Sequence, residues 1–436
     1  MNGSPRAAIY TLGCRTNQYE SDAIARALCE AGFEICDFSE TCDVYIVNTC
    51  SVTAEADRKS RQLIRRCKKQ NKNAVVIAAG CFSELNPEGA ASIGADIVLG
   101  NRNKMRAVEF AVKAVSGKTE KAVLSPTAES LPYEETCALC GGKTRTYLKI
   151  EDGCDNHCAY CIIRKARGAV VSRPPENILR EAREMVGAGV REIIITGTEV
   201  ASYGRDGGGY TLYDAVKAVC KSGVERVRLG SVEPSVLRGE LPEKLSGFPN
   251  FLPSFHFSLQ SGSDKVLAQM RRKYNSRQAA EAAENIRRIF PGAGFSADII
   301  VGFPGEDEDD FLATCRLCEE IGFYHLHIFP YSDRRGTEAS ARKDKIGADI
   351  INERSDRLFA LGEKLSARAY GRYLGTGRAP RVLFEQRMGE YFFGHAENML
   401  DVRVKTEDDL SGRIFDCIPE KFEDGALICT AAEEIK

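Results

Sequence analysis

The pattern that most constrains this chain of 436 residues is an alternation of short apolar runs with helical stretches. In the first 125 residues the apolar runs are unbroken, as in strands that are buried on both faces of a parallel sheet. The sequence therefore predicts an N-terminal parallel α/β domain. Its predicted strands lie at residues 7–12, 43–48, 74–79 and 96–99, and its predicted helices at 18–30 and 54–70.

Residues 115–143 show no such periodicity and contain Gly117, Pro126, Pro132 and the Gly141-Gly142 pair, which predicts a linker between domains. After this segment the strand-then-helix alternation begins again. Six such units indicate an open, partial (βα)6 barrel. Its predicted strands lie at residues 146–150, 192–196, 226–229, 255–259, 297–301 and 325–329.

The last part of the chain has a different character. Residues 353–374 form a predicted amphipathic helix, because Leu358, Leu361 and Leu365 recur at spacings of three and four. Five short predicted strands follow, at residues 381–384, 391–395, 400–404, 414–419 and 426–430, and they indicate a small β-barrel. We therefore expect an α/β domain at 1–125, a linker at 126–143, a partial barrel at 144–371 and a β-barrel at 372–436.

Seventeen cysteines and no tryptophan stand out in a composition that is otherwise ordinary for a globular protein, with 43% hydrophobic and 28% charged residues. No apolar run approaches the roughly 18 residues of a membrane span, and the apolar start is too short for a signal peptide. We therefore expect the reducing cytoplasm, where thiols bind metal or do redox chemistry more often than they pair. Many of them can equally be small buried hydrophobic residues.

Cys154, Cys158 and Cys161 form a C-x3-C-x2-C motif just after the first predicted barrel strand. Three thiolates in one loop can hold three irons of a [4Fe–4S] cube and leave the fourth iron open. An open iron can bind S-adenosylmethionine and reduce it to a 5′-deoxyadenosyl radical, and βα barrels carry their chemistry at this end of the strands. The alternative is a zinc site, with His157 crowded in as the fourth ligand.

Cys14, Cys50 and Cys81 are distant in sequence, but each lies just past a predicted strand of the first domain. In a parallel sheet these strand ends lie side by side, and ligands gather where the strand order reverses. Gly13 and Gly80 precede two of the three cysteines and allow a tight turn or a close backbone approach. The pattern predicts a second three-thiolate cluster site; the alternative is three buried structural thiols.

The chain resembles the radical S-adenosylmethionine methylthiotransferases over essentially its full length. The resemblance rests on ordered motifs: TLGCRTNQYES (11–21), NTCSVTAEADRKS (48–60), GCDNHCAYCIIRKARG (153–168), LGSVEPS (229–235), HFSLQSGSDKVLAQMRRKY (256–274), DIIVGFPGE (298–306) and FPYSDRRGTEA (329–339). Residues 18–21 and 325–332 resemble the branch that modifies threonylcarbamoyladenosine in tRNA. Arg164 stands where relatives commonly carry proline, and we expect it to change the loop without touching the ligands.

The resemblance implies two [4Fe–4S] clusters with separate tasks. The cluster at Cys154, Cys158 and Cys161 would generate the radical, and the cluster at Cys14, Cys50 and Cys81 would carry or supply sulfur. The product would be a methylthio group on C2 of the adenosine immediately 3′ of the anticodon, at the cost of two S-adenosylmethionine molecules. A C2–H bond of adenine is not acidic, which suits a radical better than a general base.

The same resemblance leaves alternatives open. The target could be isopentenyladenosine in tRNA or an aspartate of a ribosomal protein. A different class, a non-catalytic iron–sulfur protein that binds RNA or transfers electrons, would need no S-adenosylmethionine pocket. An electron donor such as flavodoxin or ferredoxin is plausible, and a monomer is the default. No catalytic side chain is singled out by the sequence.

Five residues at predicted strand ends are candidates for contacts with S-adenosylmethionine, on position alone: Thr196, Gly197, Glu233, Gln260 and Ser261. Their alternative role is loop or helix capping. Arg167 and Arg173 follow the cysteine loop and could shape it, bind phosphate or lie in solvent. Cys137 and Cys140 could form a zinc site with Cys315 and Cys318, although nothing in the sequence brings the two pairs together.

RNA contacts would need local positive charge, because the net charge is only −2. Residues 58–72 carry eight basic and no acidic residues, and the helix near 354–372 is a second basic candidate. The C-terminal segment 376–436 is acidic, with 8 basic against 13 acidic residues. Any RNA contacts there should concentrate on one face, for which the candidates are Arg378, Arg381, Tyr391, Phe393, His395 and Asn398; the alternative is that the aromatic residues are core.

Overall fold

The structure is a computed structural model that describes residues 4–118, 121–124, 132–138 and 142–435. The chain divides into two compact units. Unit 1 comprises the described parts of Met1–Gly189, Ile195–Ala218 and Ser332–Ser340, and unit 2 comprises Val190–Ile194, Val219–Tyr331 and the described part of Ala341–Lys436. Much of the predicted linker, residues 126–131 and 139–141, lies outside the described residues.

Unit 1 is built on a parallel sheet with helices between its strands. Its strands are β1 (Arg6–Thr11), β2 (Glu34–Ile35), β3 (Val44–Thr49), β4 (Val75–Gly80), β5 (Ile97–Leu99), β6 (Ala122–Leu124), β7 (Arg145–Lys149), β8 (Glu151–Asp152) and β9 (Val171–Ser172). Its helices are α1 (Arg15–Glu30), α2 (Ala54–Gln70), α3 (Cys81–Leu85), α4 (Pro87–Ser92), α5 (Arg106–Val115), α6 (Ile163–Arg167) and α7 (Pro175–Gly187). Strand β10 (Glu192–Thr196) and helix α8 (Leu212–Cys220) belong partly to each unit.

The sheet of unit 1 has the order β2-β1-β3-β4-β5-β6, and all its paired strands are parallel. Strands β3 and β4 are almost wholly buried, as expected for strands with helices on both faces. The order reverses between β1 and β3, which is where ligands bind in open α/β sheets. Thr49 pairs with Gly80, so β3 and β4 end level with each other, and a cysteine follows each of them.

Unit 2 continues the barrel strands and ends in a closed β-barrel. Its first strands are β11 (Arg226–Leu229), β12 (Ser231–Val232), β13 (Ser254–Gln260), β14 (Gly294–Val301) and β15 (His325–Pro330), of which the last four form a parallel sheet in chain order. Its helices are α9 (Leu241–Ser246), α10 (Asp264–Gln269), α11 (Ser276–Ile289), α12 (Glu308–Ile321) and α13 (Ala348–Gly375). The C-terminal barrel has the order β16-β17-β18-β20-β19, from β16 (Arg381–Met388), β17 (Tyr391–His395), β18 (Asp401–Lys405), β19 (Ile414–Glu423) and β20 (Ala426–Ile435).

The predicted α/β fold class is confirmed: all six predicted core strands and all five predicted C-terminal strands are present. The short edge strands β2 and β6 escaped prediction, because two or three residues carry too little periodicity to be recognised. Helix α13 begins five residues earlier than predicted. Among the residues described, no helix has the length and apolar character of a membrane span.

A buried ion cluster in unit 2 fixes the start of two strands. Glu192 accepts from Arg226 Nε and Arg228 Nε, both at 2.7 Å, and all three side chains are at most 4% exposed. Burial lowers the pKa of Arg226, and the Glu192 carboxylate opposes this effect. The two guanidinium groups also donate to main-chain carbonyls of the C-terminal segment, those of Arg381, His395, Ala396 and Glu397. One carboxylate thus holds two arginines that bind the β-barrel.

Replacing Glu192 with glutamine should therefore destabilise unit 2 strongly. Two buried guanidinium groups would lose the carboxylate that they share, and removing one member of a buried ion pair costs about 3–5 kcal/mol. Chemical denaturation of purified Glu192→Gln protein measures this loss. Glu225→Gln is the matched control, because Glu225 forms an exposed ion pair with Arg191 and should cost less than about 1 kcal/mol. Equal unfolding midpoints for the two variants would contradict the expectation.

Candidate functional site

Cys14, Cys50 and Cys81 lie together at one edge of the parallel sheet. Cys14 is the N-cap of α1, Cys50 follows β3 directly, and Cys81 is the first residue of α3. Gly13 has a φ of +93°, and a Cβ atom there would lie 2.5 Å from Sγ of Cys50. Gly80 has a φ of +102°, and its Cβ would lie 2.6 Å from the carbonyl oxygen of Thr49. The predicted close backbone approach at both glycines is therefore confirmed.

The three thiols differ in exposure and affect each other electrostatically. Cys50 and Cys81 are each 2% exposed, whereas Cys14 is exposed. Burial raises the pKa of Cys50 to about 12, and the neighbouring thiols of Cys81 and Cys14 contribute to the rise. Burial also raises the pKa of Cys81, but the nearby cations of Arg167 and Lys104 oppose it. Positive charge thus stands beside a site whose ligands would be negative thiolates.

These two cations belong to a fully buried charge network in unit 1. Its charged members are Glu20, Asp152, Lys104, Lys149 and Arg167. Arg167 Nη1 contacts Glu20 Oε1 at 2.9 Å and Asp152 Oδ1 at 2.8 Å. Lys149 Nζ contacts the same two residues, each at 2.7 Å, and Lys104 pairs with Glu20. The network has three cations and two carboxylates, so its net charge is +1. Arg167 brings this positive charge close to Cys81 and Cys14.

The network joins segments that are far apart in the sequence. Glu20 lies on α1, just after Cys14, whereas Lys149 and Asp152 come from β7 and β8, just before Cys154. Arg167 ends α6, the helix after the C-x3-C-x2-C loop. The same charged cluster therefore ties the segments that carry both sets of cysteines. The solvent-exposed alternative for Arg167 and Arg173 is wrong, since they are 1% and 2% exposed.

Cys154, Cys158 and Cys161 lie half-buried in the loop between β8 and α6. The main-chain N–H groups of Asn156 and Ile163 donate to Sγ of Cys154 and of Cys161, each at 3.4 Å. Burial raises the pKa of Cys154, and Glu199, Cys161 and Glu151 add to this rise. Arg164 Nη1 donates to the main-chain oxygen of Cys154 at 3.0 Å. This contact is with the main chain and not with a ligand sulfur, which agrees with the expectation that Arg164 shapes the loop without touching the ligands.

A second connection between the two cysteine regions is the segment Ser332–Ser340, which we call the strap. Arg334 Nη2 donates to Ser51 Oγ at 2.8 Å and pairs with Asp57 at 2.7 Å, while Ser332 Oγ accepts from the Ala54 N–H at 2.9 Å. At its other end the Ala339 N–H donates to the Ala159 oxygen at 2.8 Å. The strap therefore holds the loop after Cys50 and the loop of the second triad at once.

Two acidic residues beside Cys154 escaped the sequence analysis. Glu151 Oε1 accepts from the Glu199 N–H at 2.8 Å, and a Cβ at Gly197 would collide with this oxygen. Glu151 Oε2 is buried and has no hydrogen-bond partner in the part of the chain that is described. Burial raises the pKa of Glu151 well above its usual value. The signal in the sequence was an acidic residue two or three positions past the end of each of two neighbouring strands, Glu151 after β7 and Glu199 after β10.

The five candidates for S-adenosylmethionine contacts fall into two groups. Thr196 and Gly197 lie in unit 1, at the end of β10, and the Gly197 oxygen accepts from Thr16 Oγ1 at 2.9 Å. The other three candidates, Glu233, Gln260 and Ser261, lie in unit 2. Glu233 is buried in an ion pair with Arg272 at 2.9 Å, and Ser261 Oγ accepts from the Ser263 N–H at 3.1 Å, a capping contact. A direct role for these five stays a prediction.

No group of three or more His, Cys, Asp or Glu residues within the described ranges is arranged to hold one metal ion. Cys140 lies outside the described residues, and Cys315 and Cys318 lie on α12. The four-cysteine zinc site stays a prediction.

Comparison with known proteins identifies the family. Residues 6–100 match the model described as uncharacterized protein family UPF0004, and residues 148–318 match the radical SAM superfamily. The threonylcarbamoyladenosine tRNA methylthiotransferase MtaB of Bacillus subtilis is 36% identical over 414 residues, which cover 93% of this chain and 92% of that protein. The tRNA-2-methylthio-N(6)-dimethylallyladenosine synthase of Thermotoga petrophila is 33% identical over 428 residues, which cover 97% of this chain and 96% of that protein.

Among solved structures, the radical S-adenosylmethionine methyltransferase TsrM of Kitasatospora setae shares the fold. The TM-score is 0.58 at 13% identity, and the match covers 78% of this chain and 77% of that one. The half-barrel strands and the C-x3-C-x2-C loop define a radical S-adenosylmethionine enzyme. More closely, the chain belongs to the radical S-adenosylmethionine methylthiotransferase family. Its cofactors are [4Fe–4S] clusters and S-adenosylmethionine.

Replacing Glu20 with glutamine tests the charge network. Burial raises the pKa of Glu20, but Arg167, Lys104 and Lys149 outweigh it and hold the pKa well below its usual 4.5. Loss of this buried carboxylate leaves the three cations underpaired and should cost about 3–5 kcal/mol in chemical denaturation of the cluster-free protein. The stabilisation is complete above about pH 4.5 and fades in acid, so the difference from wild type should narrow as the pH falls.

Glu30→Gln is the control for this measurement. Glu30 ends the same helix and is exposed, paired with Arg26 at 2.8 Å, so its loss should cost less than about 1 kcal/mol. A Glu20→Gln protein as stable as the control at pH 7 would contradict a structural role for the network.

Proposed function

We propose that this enzyme adds a methylthio group to C2 of N(6)-threonylcarbamoyladenosine in tRNA, immediately 3′ of the anticodon. The observation that carries the proposal is the convergence of Cys14, Cys50 and Cys81 at the point where the strand order reverses, in the same unit as the radical-type loop. A second three-thiol site is what sulfur insertion needs in addition to radical formation. The substrate is supported by residues 18–21 and by the name of the Bacillus subtilis relative.

In this proposal Cys154, Cys158 and Cys161 hold one [4Fe–4S] cluster and Cys14, Cys50 and Cys81 hold the other. When bound, the first supplies the electron that splits S-adenosylmethionine into methionine and a 5′-deoxyadenosyl radical, and the second holds the sulfur to be transferred. The residues present fit both groups. Cys14, Cys50 and Cys81 are in mutual electrostatic reach, Cys154 and Cys161 affect each other in the loop that also carries Cys158, and none of the six is paired in a disulfide.

The surrounding residues would tune and orient these thiolates. The N–H groups of Asn156 and Ile163 donate to two sulfurs of the radical site, and hydrogen bonds to ligand sulfurs raise the reduction potential of such sites. Arg167 places its positive charge beside Cys81 and Cys14, which stabilises thiolate ligands in a buried place. The strap and the charge network fix the two cysteine regions with respect to each other.

The unused carboxyl oxygen of Glu151 supports a site for S-adenosylmethionine beside Cys154. Buried polar atoms are nearly always hydrogen-bonded, so this oxygen calls for a partner from a ligand. The α-ammonium group of S-adenosylmethionine is such a donor. Thr196 and Gly197 lie at the end of the neighbouring strand β10. Because Gly197 has no side chain, the carboxyl group of Glu151 has room beside it. For Glu233, Gln260 and Ser261, the support for a contact with S-adenosylmethionine is their position at predicted strand ends.

The basic helix α2 is the surface we propose for tRNA. Some basic side chains of α2 are already paired within the protein and so are less available to RNA phosphates. Arg58 and Lys59 pair with Glu55, and Lys68 pairs with Asp96. The remaining exposed basic residues of this helix are Arg61, Arg65, Arg66 and Lys69. On the C-terminal barrel, Phe392 is core, whereas Tyr391 and Phe393 lie on the other face of the strand and stay partly exposed. We further propose a flavodoxin- or ferredoxin-type electron donor, a monomer, and a cytoplasmic location.

A second candidate substrate is the dimethylallyl (isopentenyl) form of the same adenosine, supported by the Thermotoga petrophila relative at 33% identity. Both candidates share the reacting atom, C2 of adenine, and differ only in the substituent on N6. An aspartate of a ribosomal protein is a third target from the sequence analysis, and no relative named above acts on it.

Mass spectrometry of tRNA nucleosides decides between these substrates. In cells that lack this gene, the methylthio form of threonylcarbamoyladenosine should disappear while its unthiolated precursor accumulates. The methylthio form of isopentenyladenosine should be unchanged and serves as the internal control. Loss of the isopentenyl product instead would show that isopentenyladenosine is the substrate. An altered ribosomal protein together with unchanged tRNA would refute a tRNA target.

The two cysteine sets should respond differently to substitution. Anaerobically reconstituted protein should contain about eight irons per chain, and both Cys14→Ala and Cys158→Ala should lose about half. Cys14→Ala should still cleave S-adenosylmethionine to 5′-deoxyadenosine but form no methylthio product, whereas Cys158→Ala should lose both activities. Cys29→Ala is the control, because Cys29 is an exposed residue of α1 outside both sets. Full iron content in Cys14→Ala would contradict the second cluster site.

A further inference from the structure

Unit 2 contains a cavity of about 300 Å³ where three helices end. Arg287 lies in the last turn of α11, Gly322 is the C-cap of α12, and Arg372 lies in the last turn of α13. The loops before β14 and β18 close the remaining sides, with Gly292 and Asn398 in the lining. The cavity is far in sequence from both cysteine triads and has no part in the function proposed above.

Two guanidinium groups line this cavity, those of Arg287 and Arg372, and a third, that of Arg378, lies beside the lining residue Gly292. Arg287 donates to the Ile321 oxygen and stacks on Phe295, with its Cζ 4.9 Å from the ring centre. Arg372 Nη2 donates to the Gly322 oxygen at 3.4 Å. Arg378 Nη1 donates to the Pro291 oxygen at 3.1 Å, and a Cβ at Gly292 would lie 3.4 Å from the same nitrogen.

None of the three arginines forms an ion pair with any residue that the structure describes; their recorded hydrogen-bond acceptors are main-chain carbonyls. Burial lowers the pKa of Arg287, and the like charge of Arg372 lowers it further; Glu284 opposes this from beyond ion-pair distance. Neighbouring arginines on the same helix are paired: Arg277 with Glu281 at 3.0 Å and Arg288 with Glu243 at 3.3 Å. On α11, therefore, the two exposed arginines are paired with carboxylates and the arginine at the cavity is not.

A purely structural role for the three arginines would be to cap the C-terminal ends of helices. Such capping balances only part of their positive charge. A helix C-terminus carries about half a negative charge, so three of them supply roughly −1.5 against three full positive charges. Arg378 stands out further because it belongs to segment 376–436, which is acidic overall, with 8 basic against 13 acidic residues. A surplus of arginine donors around a cavity fits an anion with several acceptor oxygens, since the planar guanidinium binds phosphate in a bidentate manner.

We propose that Arg287, Arg372 and Arg378 bind a backbone phosphate of the tRNA substrate. The inference rests on the proposed function, which makes tRNA the partner. It assigns the acidic C-terminal region a way to hold RNA: one pocket of unpaired arginines at its edge, with no need for a basic surface on the barrel. The site positions the RNA backbone and reads no base.

The test uses full-length, anaerobically reconstituted protein and a fluorescent tRNA, with binding measured by anisotropy at several salt concentrations. The double variant Arg372→Gln/Arg378→Gln removes the two exposed arginines and spares Arg287, which packs on Phe295. Loss of one or two phosphate contacts should weaken binding about tenfold near 0.1 M salt and lower the slope of log K against log salt by about one to two. Arg277→Gln/Arg288→Gln is the matched control, with the same loss of charge from exposed, paired arginines.

Three results would overturn the proposal. An unchanged affinity and salt slope in the Arg372/Arg378 variant, with a lowered unfolding midpoint, would show that these arginines only cap helices. An equal loss in both double variants would show a general effect of charge. Stabilisation of wild type but not of the variant by inorganic phosphate, with tRNA binding intact, would assign the pocket to a free phosphate.

The outcome is separable from that of the proposed function. Nucleoside analysis of tRNA treated with wild-type protein tests the methylthio reaction by itself. If wild type makes the product and the variant keeps the full salt slope, the phosphate pocket alone is refuted. If wild type makes no product although the variant loses tRNA affinity, the substrate assignment fails and the pocket stands.

Discussion

The rest of unit 1 depends on a cluster of five charged side chains in its interior. Burying charges is costly unless each is paired, and here Glu20 and Asp152 are shared among Lys104, Lys149 and Arg167. An apolar core would hold the same helices and strands together at least as well. What the charges add is geometry, because carboxylates and guanidinium groups bind only in narrow ranges of distance and angle. The excess positive charge also falls beside the thiols that need it.

The cysteines could be predicted from the sequence because they follow from local pattern. Cys50 and Cys81 each come directly after an apolar strand, and parallel strands end at one edge of a sheet, so their convergence needed no three-dimensional information. The fold class was accessible for the same reason. The partners of Glu20 were not, since Lys104, Lys149 and Arg167 are separated from it by 84 to 147 residues. Charged residues are usually exposed, so nothing local marks these as buried.

The strap and the arginine pocket illustrate a second limit. Arg334 and Arg372 are each indistinguishable from a solvated arginine in the sequence, yet one is held by Ser51 and Asp57 and the other faces a cavity without a carboxylate. The net charge of the acidic C-terminal segment gave no indication of the three arginines near its start, Arg378 and, from α11 and α13, Arg287 and Arg372. On α2 the count of basic residues overestimated the positive charge that is available, because Glu55 and Asp96 pair with some of these residues.

The uneven exposure of the N-terminal thiols bears on how this centre is built. Cys50 and Cys81 are sealed behind the sheet edge, whereas Cys14 is open to solvent. Iron and sulfide delivered to an already folded chain would therefore meet the Cys14 thiol first. Oxidants in solution likewise meet the exposed Cys14 thiol before the two buried thiols, so oxidation of the cluster-free protein should begin at Cys14.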